Sequence, residues 1–226
     1  MPGPNWSDDD PSDLALIAAN CQTVLRDAAL RAGVREMLTA DRLREWHRLI
    51  YQGCRVPSTG YVGNFRGDTT QTDLVGYEVG IGRLQTDGYP ECVGVWSHEV
   101  VVSVAQFFMG LSAALALLDN AIIPGQPPAT TQLLEEVAEV CAYAHGEWVR
   151  IHPFANGNGR TARIIANAVA LRYALPAFIT LKPRPSDVLY VRAAKSSMGR
   201  PPDFRGDHAE TIAVFCHYLR MSYTQP

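Results

Sequence analysis

Residues 151–163 read IHPFANGNGRTAR, and the rest of the chain is organised around this stretch. A histidine, His152, precedes a turn of small residues that contains Gly157 and Gly159. Glycine allows positive φ values and a close approach of the backbone to a ligand. The Ala-, Leu- and Arg-rich segment from Arg160 to Tyr173 predicts a helix. A glycine turn leading into a helix exposes N–H groups at the positive end of the helix dipole, so the stretch predicts an anion site.

Two arginines and the histidine complete this predicted site. Arg160 and Arg163 are three residues apart and therefore share one face of the predicted helix. Their guanidinium groups can donate bidentate hydrogen bonds to a phosphate at the helix N-terminus. His152 stands beside that anion, and imidazole is well suited to accept a proton near neutral pH. The alternative is an ordinary loop and helix with His152 as a cap, and the combination of features favours the site.

The run HPFANGNGRTAR resembles the signature of the Fic family, His-Pro-Phe-x-(Asp/Glu)-Gly-Asn-Gly-Arg-x-x-Arg. A match of this length is far more specific than a lone glycine motif. Asn156 is the one departure, because the family has an acid at this position. The resemblance implies a mostly α fold, a Fic-type helical bundle with a short β-hairpin flap over the active site. It covers most of the chain, with a core at about residues 63–198.

The resemblance also implies an activity and assigns residues to it. Most Fic proteins are protein adenylyltransferases, which transfer AMP from ATP to a Ser, Thr or Tyr hydroxyl of a target protein. The assigned residues are His152 as general base, Phe154 as loop anchor, Gly157, Asn158 and Gly159 as the anion hole around the α- and β-phosphates, and Arg160 and Arg163 as ligands of the outer phosphates. Positioning and preorganised donors would supply most of the catalysis.

Asn156 replaces the acid that holds Mg²⁺ between the phosphates in the family. An amide offers a neutral oxygen, so weaker magnesium binding is expected. Three outcomes are compatible with it: a metal held by phosphates and water, a reaction without metal, or an impaired module that only binds nucleotide or target. Transfer of another nucleotide, phosphocholine or phosphate is a further alternative. Gly159 disfavours phosphate transfer of the Doc type, where a lysine stands at this position.

Family members are often restrained by a helix with the pattern Ser/Thr-x-x-x-Glu-Gly/Asn, whose glutamate pairs with the second motif arginine. Residues 131–136, TQLLEE, come closest, but their last residue does not fit and they lie in a predicted core helix. Inhibition would therefore require a separate chain, as in toxin–antitoxin pairs. A chain that needs no inhibitor is equally compatible. The other expected partner is the target protein that presents the hydroxyl.

An upstream segment, Gly63–Arg66 or GNFR, resembles the element that precedes the flap in the family. The loose alternation of β-prone residues from Leu74 to Leu84 predicts a short β-hairpin. By resemblance, the flap would align an extended target segment by strand addition. The candidate docking residues are Gly76, Tyr77, Glu78 and Val79. A hairpin that only covers the edge of the core is equally compatible.

Other polar and aromatic residues allow two interpretations. Tyr190 is a candidate for stacking on a nucleotide base, and packing within its amphipathic helix is the simpler interpretation. Lys182 and Arg184 lie in a proline-flanked extended segment, either at the mouth of the site or in solvent. His47 is interpreted as a helix surface or packing residue, and His145 as a core or structural histidine.

Length and composition predict one globular domain. The 226 residues are enough for one sizeable core, and 47% of them are hydrophobic. We expect residues 1–12, which are polar, acidic and proline-rich, to be flexible, and residues 13–226 to form a single Fic-like domain with flanking helices. The apolar periodicity predicts helices at Asp10–Gly33, Asp41–Tyr51, Ser97–Asp119, Thr131–Arg150, Arg160–Tyr173, Pro185–Met198 and Asp207–Tyr223.

Net charge, cysteine spacing and apolar runs indicate the cellular compartment and the kinds of partner. A net charge of -3 provides no basic field for nucleic acid. The five scattered cysteines predict free thiols in a reducing compartment rather than disulfides or zinc ligands. The sequence shows neither a signal-peptide pattern nor an uninterrupted apolar span, which predicts a cytoplasmic protein without a membrane segment. Delivery as an effector by a specialised secretion system is also compatible.

Overall fold

The computed structural model describes residues 3–6, 9–80 and 93–223. Over this part of the chain it is mostly helical, as predicted, and each predicted helix is present with small shifts at its ends. The helices are α1 (Leu14–Gly33), α2 (Ala40–Ile50), α3 (Val100–Ala121), α4 (Thr131–Ile151), α5 (Asn158–Arg172), α6 (Val188–Met198) and α7 (Ala209–Tyr223). Short 3₁₀ helices cover Pro11–Asp13, Thr59–Tyr61 and Ser97–Glu99.

Local sequence signals set the starts of these helices. Side-chain oxygens of Thr39, Thr130 and Asp187 accept a backbone N–H from the first turns of α2, α4 and α6. Such caps each stabilise a helix by about 1 kcal/mol. Helix α5 begins differently, because its N-cap is Gly157, which has a φ of 80° and no side chain to offer. The first N–H groups of α5 therefore receive no side-chain cap.

Helix α5 lies at the centre of the bundle. It packs against α1, α2 and α4, and α4 packs in turn against α3, α6 and α7. Nearly every residue of α5 is buried, including the polar side chains of Arg160, Arg163 and Asn167. Buried polar groups are costly unless they find partners, so the structure must satisfy each of them locally. The partners of the two arginines define the site described below.

The predicted hairpin is not shown by the structure. Residues 74–76 and 80 lie in turns, 77–78 have no regular structure, and the described β-pairing here is a single antiparallel bridge between Val79 and Val93. Gly76 and Gly80 both have a φ of 68°, which interrupts an extended strand. The remainder of the predicted hairpin, residues 81–84, falls in the segment 81–92, outside the described residues.

The N-terminal residues that the sequence predicts to be flexible pack against the core where they are described. Trp6 is only 3% exposed, and its ring centroid lies 4.6 Å from that of Tyr51. Its backbone N–H donates to the hydroxyl of Tyr77 at 2.8 Å. The composition favours disorder, but the apolar burial of Trp6 and its hydrogen bond to Tyr77 favour packing of this segment against the core. This packing carries Asp9 to the candidate site.

Helix α3 has an inner and an outer apolar face. The inner face packs in the core through Val104, Phe107 and Leu111, whereas Met109 and Leu117 are each 74% exposed. The stretch Ser97–Ala121 is long and apolar enough to cross a membrane by length and composition alone, and only 28% of its most apolar window is buried. Core helices of soluble proteins meet the same criterion, so the feature is weak evidence of a membrane segment.

The described cysteines are all free. Cys21, Cys54, Cys141 and Cys216 are unpaired, and Cys92 lies outside the described residues. Burial raises the pKa of the Cys21 and Cys141 thiols above the usual value. A raised pKa keeps a thiol protonated and therefore unreactive, which is consistent with a packing role.

Candidate active site

His152 ends α4 in an unusual backbone conformation. Its φ of 53° and ψ of 55° place it in the left-handed region, which costs free energy for a residue other than glycine. The neighbouring backbone at Gly94 approaches so closely that a Cβ there would lie 2.2 Å from the Cβ of His152. Gly94 also has a φ of 84°, so both the space and the conformation at this contact require glycine.

Arg66 holds this strained turn in place. The side chain is fully buried, and its Nε and Nη2 donate to the carbonyl oxygens of His152 at 2.8 Å and Ile151 at 3.2 Å. Its backbone N–H donates to the carbonyl of Pro153 at 2.7 Å. Its Nη1 pairs with the carboxylate of Glu78 at 2.8 Å. The last residue of the GNFR element therefore fixes the backbone around His152, a role that the sequence alone did not indicate.

The imidazole of His152 is held in its neutral form with the proton on Nδ1. Its Nδ1 lies 3.2 Å from the carbonyl oxygen of Val149, which can only accept, so Nδ1 carries the proton. The Nε2 lone pair is then available to the pocket that His152 lines. Burial, together with the positive charge of Arg66, lowers the pKa of His152 to about 3 and keeps the ring neutral. The neutral ring is the form that can accept a proton, whereas a pKa this low makes it a weaker base than one poised near neutral pH.

The loop between α4 and α5 is closed on itself. The Asn158 side chain accepts the N–H of Phe154 and donates to its carbonyl, each at 2.8 Å. The Asn158 amide is therefore used within the loop, and only its backbone N–H remains as a donor at the start of α5. Thr161 makes the first bond of the helix, to the carbonyl of Gly157 at 3.0 Å. The N–H groups of 158–160 lie at the N-terminus as a cradle for an anion.

His47 supports this loop from α2. Its Nδ1 accepts the N–H of Gly63 at 2.9 Å, so the proton must be on Nε2, which lies 2.9 Å from the carbonyl of Asn156. Its ring stacks on Phe154 with centroids 3.8 Å apart. Burial lowers the pKa of His47 to about 3, which keeps this donor–acceptor arrangement intact. The structural interpretation of His47 was correct in kind, but its contact with the motif loop was not foreseen.

Arg163 is a buried cation without a carboxylate partner among the described residues. It is 3% exposed, and its guanidinium donates to the hydroxyl of Tyr190 at 3.2 Å and the carbonyl of Leu181 at 2.8 Å. Its Nε has no hydrogen-bond partner in the described part of the chain. Burial lowers the pKa of Arg163 below the usual value. An uncompensated buried charge of this kind favours the binding of an anion.

Arg160, in contrast, is already paired. Its guanidinium forms a bidentate pair with Asp9, with distances of 2.5 Å from Nη1 to Oδ2 and 2.9 Å from Nη2 to Oδ1. Lys182 Nζ lies 3.3 Å from the same Oδ2. Burial acts to raise the pKa of Asp9, but hydrogen bonding and charge from Arg160, then Lys182, lower it below the usual value. A carboxylate of the chain itself thus sits among the groups predicted to bind phosphate.

These groups meet in one cavity of about 280 Å³. The structure brings together every residue of the predicted motif site, and the same cavity is lined by Asp9, Lys182, Arg184 and Tyr190. The members from the motif are His152, Asn156, Gly157, Asn158, Gly159, Arg160 and Arg163. The volume is at the lower end of the range for small-molecule sites. The arrangement combines a neutral base, a helix N-terminus and several cations, which suits a phosphate ester.

Two sets of predicted residues have structural contacts of their own. Tyr190 lines the cavity but is only 2% exposed, and its hydroxyl lies 3.0 Å from His145 Nε2 and accepts from Arg163. These contacts favour support of Arg163 over base stacking. In the candidate flap, Tyr77 is buried and Glu78 accepts the N–H of Ser97 while pairing with Arg66. Those two side chains therefore hold the base of the segment rather than face solvent.

The side chains around Asn156 offer few free oxygen ligands to a divalent metal ion. The Oδ1 of Asn156 accepts the N–H of Gly157 at 2.6 Å, and its Nδ2 points to Asp9 at 3.4 Å. The Asp9 carboxylate is taken up by two cationic side chains. No group of three or more His, Cys, Asp or Glu side chains that could hold a metal occurs among the described residues. At nucleotide sites Mg²⁺ takes most of its oxygen ligands from phosphates and water, so the protein here would contribute at most the amide oxygen of Asn156.

The buried histidines predict a loss of stability in acid. Burial lowers the pKa of both His47 and His145 to about 3 from the ordinary 6.5. Between these values the unfolded chain binds more protons, so the free energy of unfolding should fall as pH falls, by up to about 1.4 kcal/mol per pH unit for each histidine. Urea unfolding between about pH 7 and about pH 5 measures this slope. His145→Gln should reduce it, and an unchanged slope would contradict the assignment.

Comparison with known proteins places the chain in a family. Residues 37–170, more than half of the chain, match the model of the Fic/DOC family. The chain belongs to the Fic/DOC family. The match begins upstream of Gly63, where the sequence resemblance was expected to begin, and includes α2 with His47. The family thus extends to the helix that supports the motif loop.

Similar proteins agree with this assignment. The chain is 49% identical over 41 residues to a protein adenylyltransferase Fic of Nematostella vectensis, which is 18% of this chain and 10% of that protein. The corresponding protein of Drosophila persimilis gives the same identity and covers 8% of its own length. The matched stretch thus spans about a tenth of these relatives. Their names therefore support a transferase of the Fic type, at low coverage.

Solved structures show the fold. A Fic-domain signalling protein from Bacteroides thetaiotaomicron aligns with a TM-score of 0.55 at 21% identity, over 90% of this chain and 66% of the other. The N-terminal Fic domain of a cell filamentation protein from Bartonella quintana aligns with a TM-score of 0.50 at 15% identity, over 94% and 84%. The Fic helical fold predicted from the motif is confirmed.

Proposed function

We propose that this chain transfers AMP from ATP to a Ser, Thr or Tyr hydroxyl of a target protein. The observation that carries the proposal is Arg163, a buried guanidinium without a carboxylate partner among the described residues, at a helix N-terminus and in one cavity with a neutral His152. Each of these features favours a phosphate group, and together they supply binding, charge stabilisation and a base. The adenylyltransferase names of the curated relatives support AMP as the transferred group.

The proposed reaction uses groups of the chain in one displacement. His152 Nε2 takes the proton of the target hydroxyl, and the hydroxyl oxygen forms a bond to the α-phosphorus of ATP. The bond from that phosphorus to the bridging oxygen breaks, and pyrophosphate leaves with the electron pair. The N–H groups of 158–160 and the guanidinium of Arg163 stabilise the phosphate charge. A buried loop fixed by Arg66 and His47 keeps these groups in position.

A second candidate function is a module that binds nucleotide or target without transfer. Two observations favour it: the amide of Asn156 replaces an acid of the family motif, and Asp9 is paired with Arg160 in the cavity. This candidate predicts nucleotide binding without modification of any protein. Recovery of transfer in Asn156→Asp or Asn156→Glu would show that the natural chain is an impaired enzyme.

The test is intact mass spectrometry of the purified protein with a candidate target lysate. Each nucleoside triphosphate is supplied in turn, with and without Mg²⁺. A target that gains the mass of one adenosine monophosphate supports the proposal, and the nucleotide that reacts identifies the base. Binding by calorimetry without any mass gain would instead favour the binding module. A cytoplasmic location, a hydroxyl-bearing target and a separate inhibitory chain stay predictions.

Asp9 should compete with the phosphates of ATP for Arg160. Because its carboxylate forms a bidentate pair with that guanidinium, Asp9→Asn should raise the affinity for ATP by about tenfold, equivalent to about 1.4 kcal/mol. The same variant should lower stability without ligand, because Arg160 then loses its buried counter-ion. Calorimetric titration measures the first effect. Asp10→Asn is the control, because the neighbouring Asp10 does not line the cavity. An unchanged or weaker ATP affinity in Asp9→Asn would contradict competition.

A further inference from the structure

Lys182 is a fixed cation of the cavity that the motif does not contain. It lies in the segment between α5 and α6, next to Leu181, whose carbonyl accepts Arg163 Nη2 at 2.8 Å. Just before it, Ile179 exchanges hydrogen bonds with the side chain of Asn167 on α5, at 2.8 Å and 3.1 Å. Hydrogen bonds from two side chains of α5, Arg163 and Asn167, therefore hold the backbone just before Lys182. Its side chain is 26% exposed and reaches the site.

The Asp9 carboxylate shows where an anion sits relative to this cation. One carboxylate oxygen, Oδ2, lies 2.5 Å from Arg160 Nη1 and 3.3 Å from Lys182 Nζ. In this position the carboxylate oxygens stand in for the anionic oxygens of a ligand phosphate. Arg160 and Lys182 thus form one anion subsite with a cation on each side. An ammonium acts on phosphate as a compact point charge with three donors.

Because Asn156 is neutral where the family has an acid, the positive charge presented to the phosphates must be compared for the two cases. A carboxylate that holds Mg²⁺ presents a formal charge of about +1 to the phosphates, and an amide with a nearby ammonium presents about +1 as well. Asn156 has its oxygen engaged by Gly157 and does not complete a metal site. The positive charge that the phosphates need is available from Lys182.

We propose that Lys182 takes the place of a divalent metal ion at this site, so that polyphosphate binds through Arg160 and Lys182 without Mg²⁺. The inference rests on the proposed function for the identity of the ligand, but the subsite itself requires only a polyphosphate. This subsite differs from the family's metal site because a lysine ammonium, rather than a metal ion held by an acid, supplies the positive charge. Asp9 is then the internal anion that a ligand phosphate displaces.

Calorimetric titration with inorganic tripolyphosphate and with ATP, each in EDTA and in MgCl₂, tests this inference. The wild-type protein should bind both ligands in EDTA, and Mg²⁺ should leave the affinity within about threefold or lower it, since the metal reduces the ligand charge that the cations attract. Lys182→Met should weaken binding in EDTA by about tenfold or more, equivalent to about 1.4 kcal/mol. Lys182→Arg, which keeps the charge, should retain most of the affinity.

The chain offers a matched control, because its other lysine, Lys195, is exposed on α6 and does not line the cavity. Lys195→Met should bind as the wild type does. Lys182→Met with Asn156→Asp should regain affinity only when Mg²⁺ is present. A melting curve for each variant separates weak binding from a loss of fold.

Four results would overturn the inference. The first is an absolute requirement of the wild type for Mg²⁺ to bind polyphosphate, and the second is an unchanged polyphosphate affinity in Lys182→Met. The third is a Mg²⁺-dependent gain in affinity that Asp9→Asn removes. The fourth is no binding of tripolyphosphate by either the wild type or Asp9→Asn. The third result would make Asp9 a metal ligand. Tripolyphosphate binding that depends on Lys182, without binding of ATP, would support the subsite and remove the proposed function, so the two claims fail separately.

Discussion

Replacement of His152 with alanine is expected to reduce AMP transfer by about 10²- to 10⁴-fold, the usual contribution of a general base. The structure holds the Nδ1 proton on the Val149 carbonyl, which leaves Nε2 to accept the proton of the target hydroxyl. No other histidine lines the cavity among the described residues. The rate of AMP incorporation under single-turnover conditions measures the effect. ATP affinity should change little, because His152 acts on the hydroxyl rather than on the phosphates.

A matched control for this variant is His217→Ala. His217 is exposed on α7 and is not part of the cavity. It should retain the wild-type rate, and both variants should unfold in urea at similar midpoints. Transfer by His152→Ala at more than about a tenth of the wild-type rate would contradict the role of His152 as base.

Replacement of Arg66 with methionine is expected to lower the free energy of unfolding by about 3–5 kcal/mol, as for the loss of one partner of a buried ion pair. Arg66 is fully buried and donates to the carbonyls of Ile151 and His152 while pairing with Glu78. Methionine leaves these acceptors without their donor in a dry environment, and each unsatisfied group adds to the loss. The left-handed turn at His152 also loses the contacts that hold it. Urea unfolding followed by circular dichroism measures the change.

An exposed arginine provides the comparison for Arg66. The side chain of Arg192 is 64% exposed and pairs with Glu210 at the surface. Because exposed ion pairs contribute about 0–1 kcal/mol, Arg192→Met should change stability by less than about 1 kcal/mol. A similarly small effect in Arg66→Met would mean that the turn at His152 is held by other contacts.

The parts of the fold that depend on local signals could be predicted from sequence. Apolar periodicity located each helix, and cap residues such as Thr39 and Thr130 mark their starts. The motif stretch predicted residues that line one cavity, because its glycines, arginines and histidine lie within thirteen residues of one another. Short spacing means that local backbone geometry alone brings these groups together.

Contacts between distant residues could not be predicted in the same way. Asp9 is separated from Arg160 by 151 positions, and His47 from Asn156 by 109. An acidic N-terminus and a histidine on a helix are common features, and neither spacing nor composition indicates their partners. The burial of Trp6, which carries Asp9 to the cavity, depends on a tertiary contact with Tyr51. In the described part of the predicted hairpin, residues 74–80, two glycines at positive φ interrupt the loose alternation that suggested a strand.

Transfer of radiolabel from ATP to protein tests the central claim most directly. Two preparations of ATP, labelled at either the α- or the γ-phosphate, are incubated with the protein and its target in parallel. The account predicts label on the target only from the α-labelled ATP, with the γ-label released in pyrophosphate, and transfer by His152→Ala that is slower by about 10²-fold or more. Label on the target from the γ-phosphate would contradict AMP transfer and assign a phosphotransferase. Label from neither, in a preparation that binds ATP, would contradict transferase activity and leave the binding module.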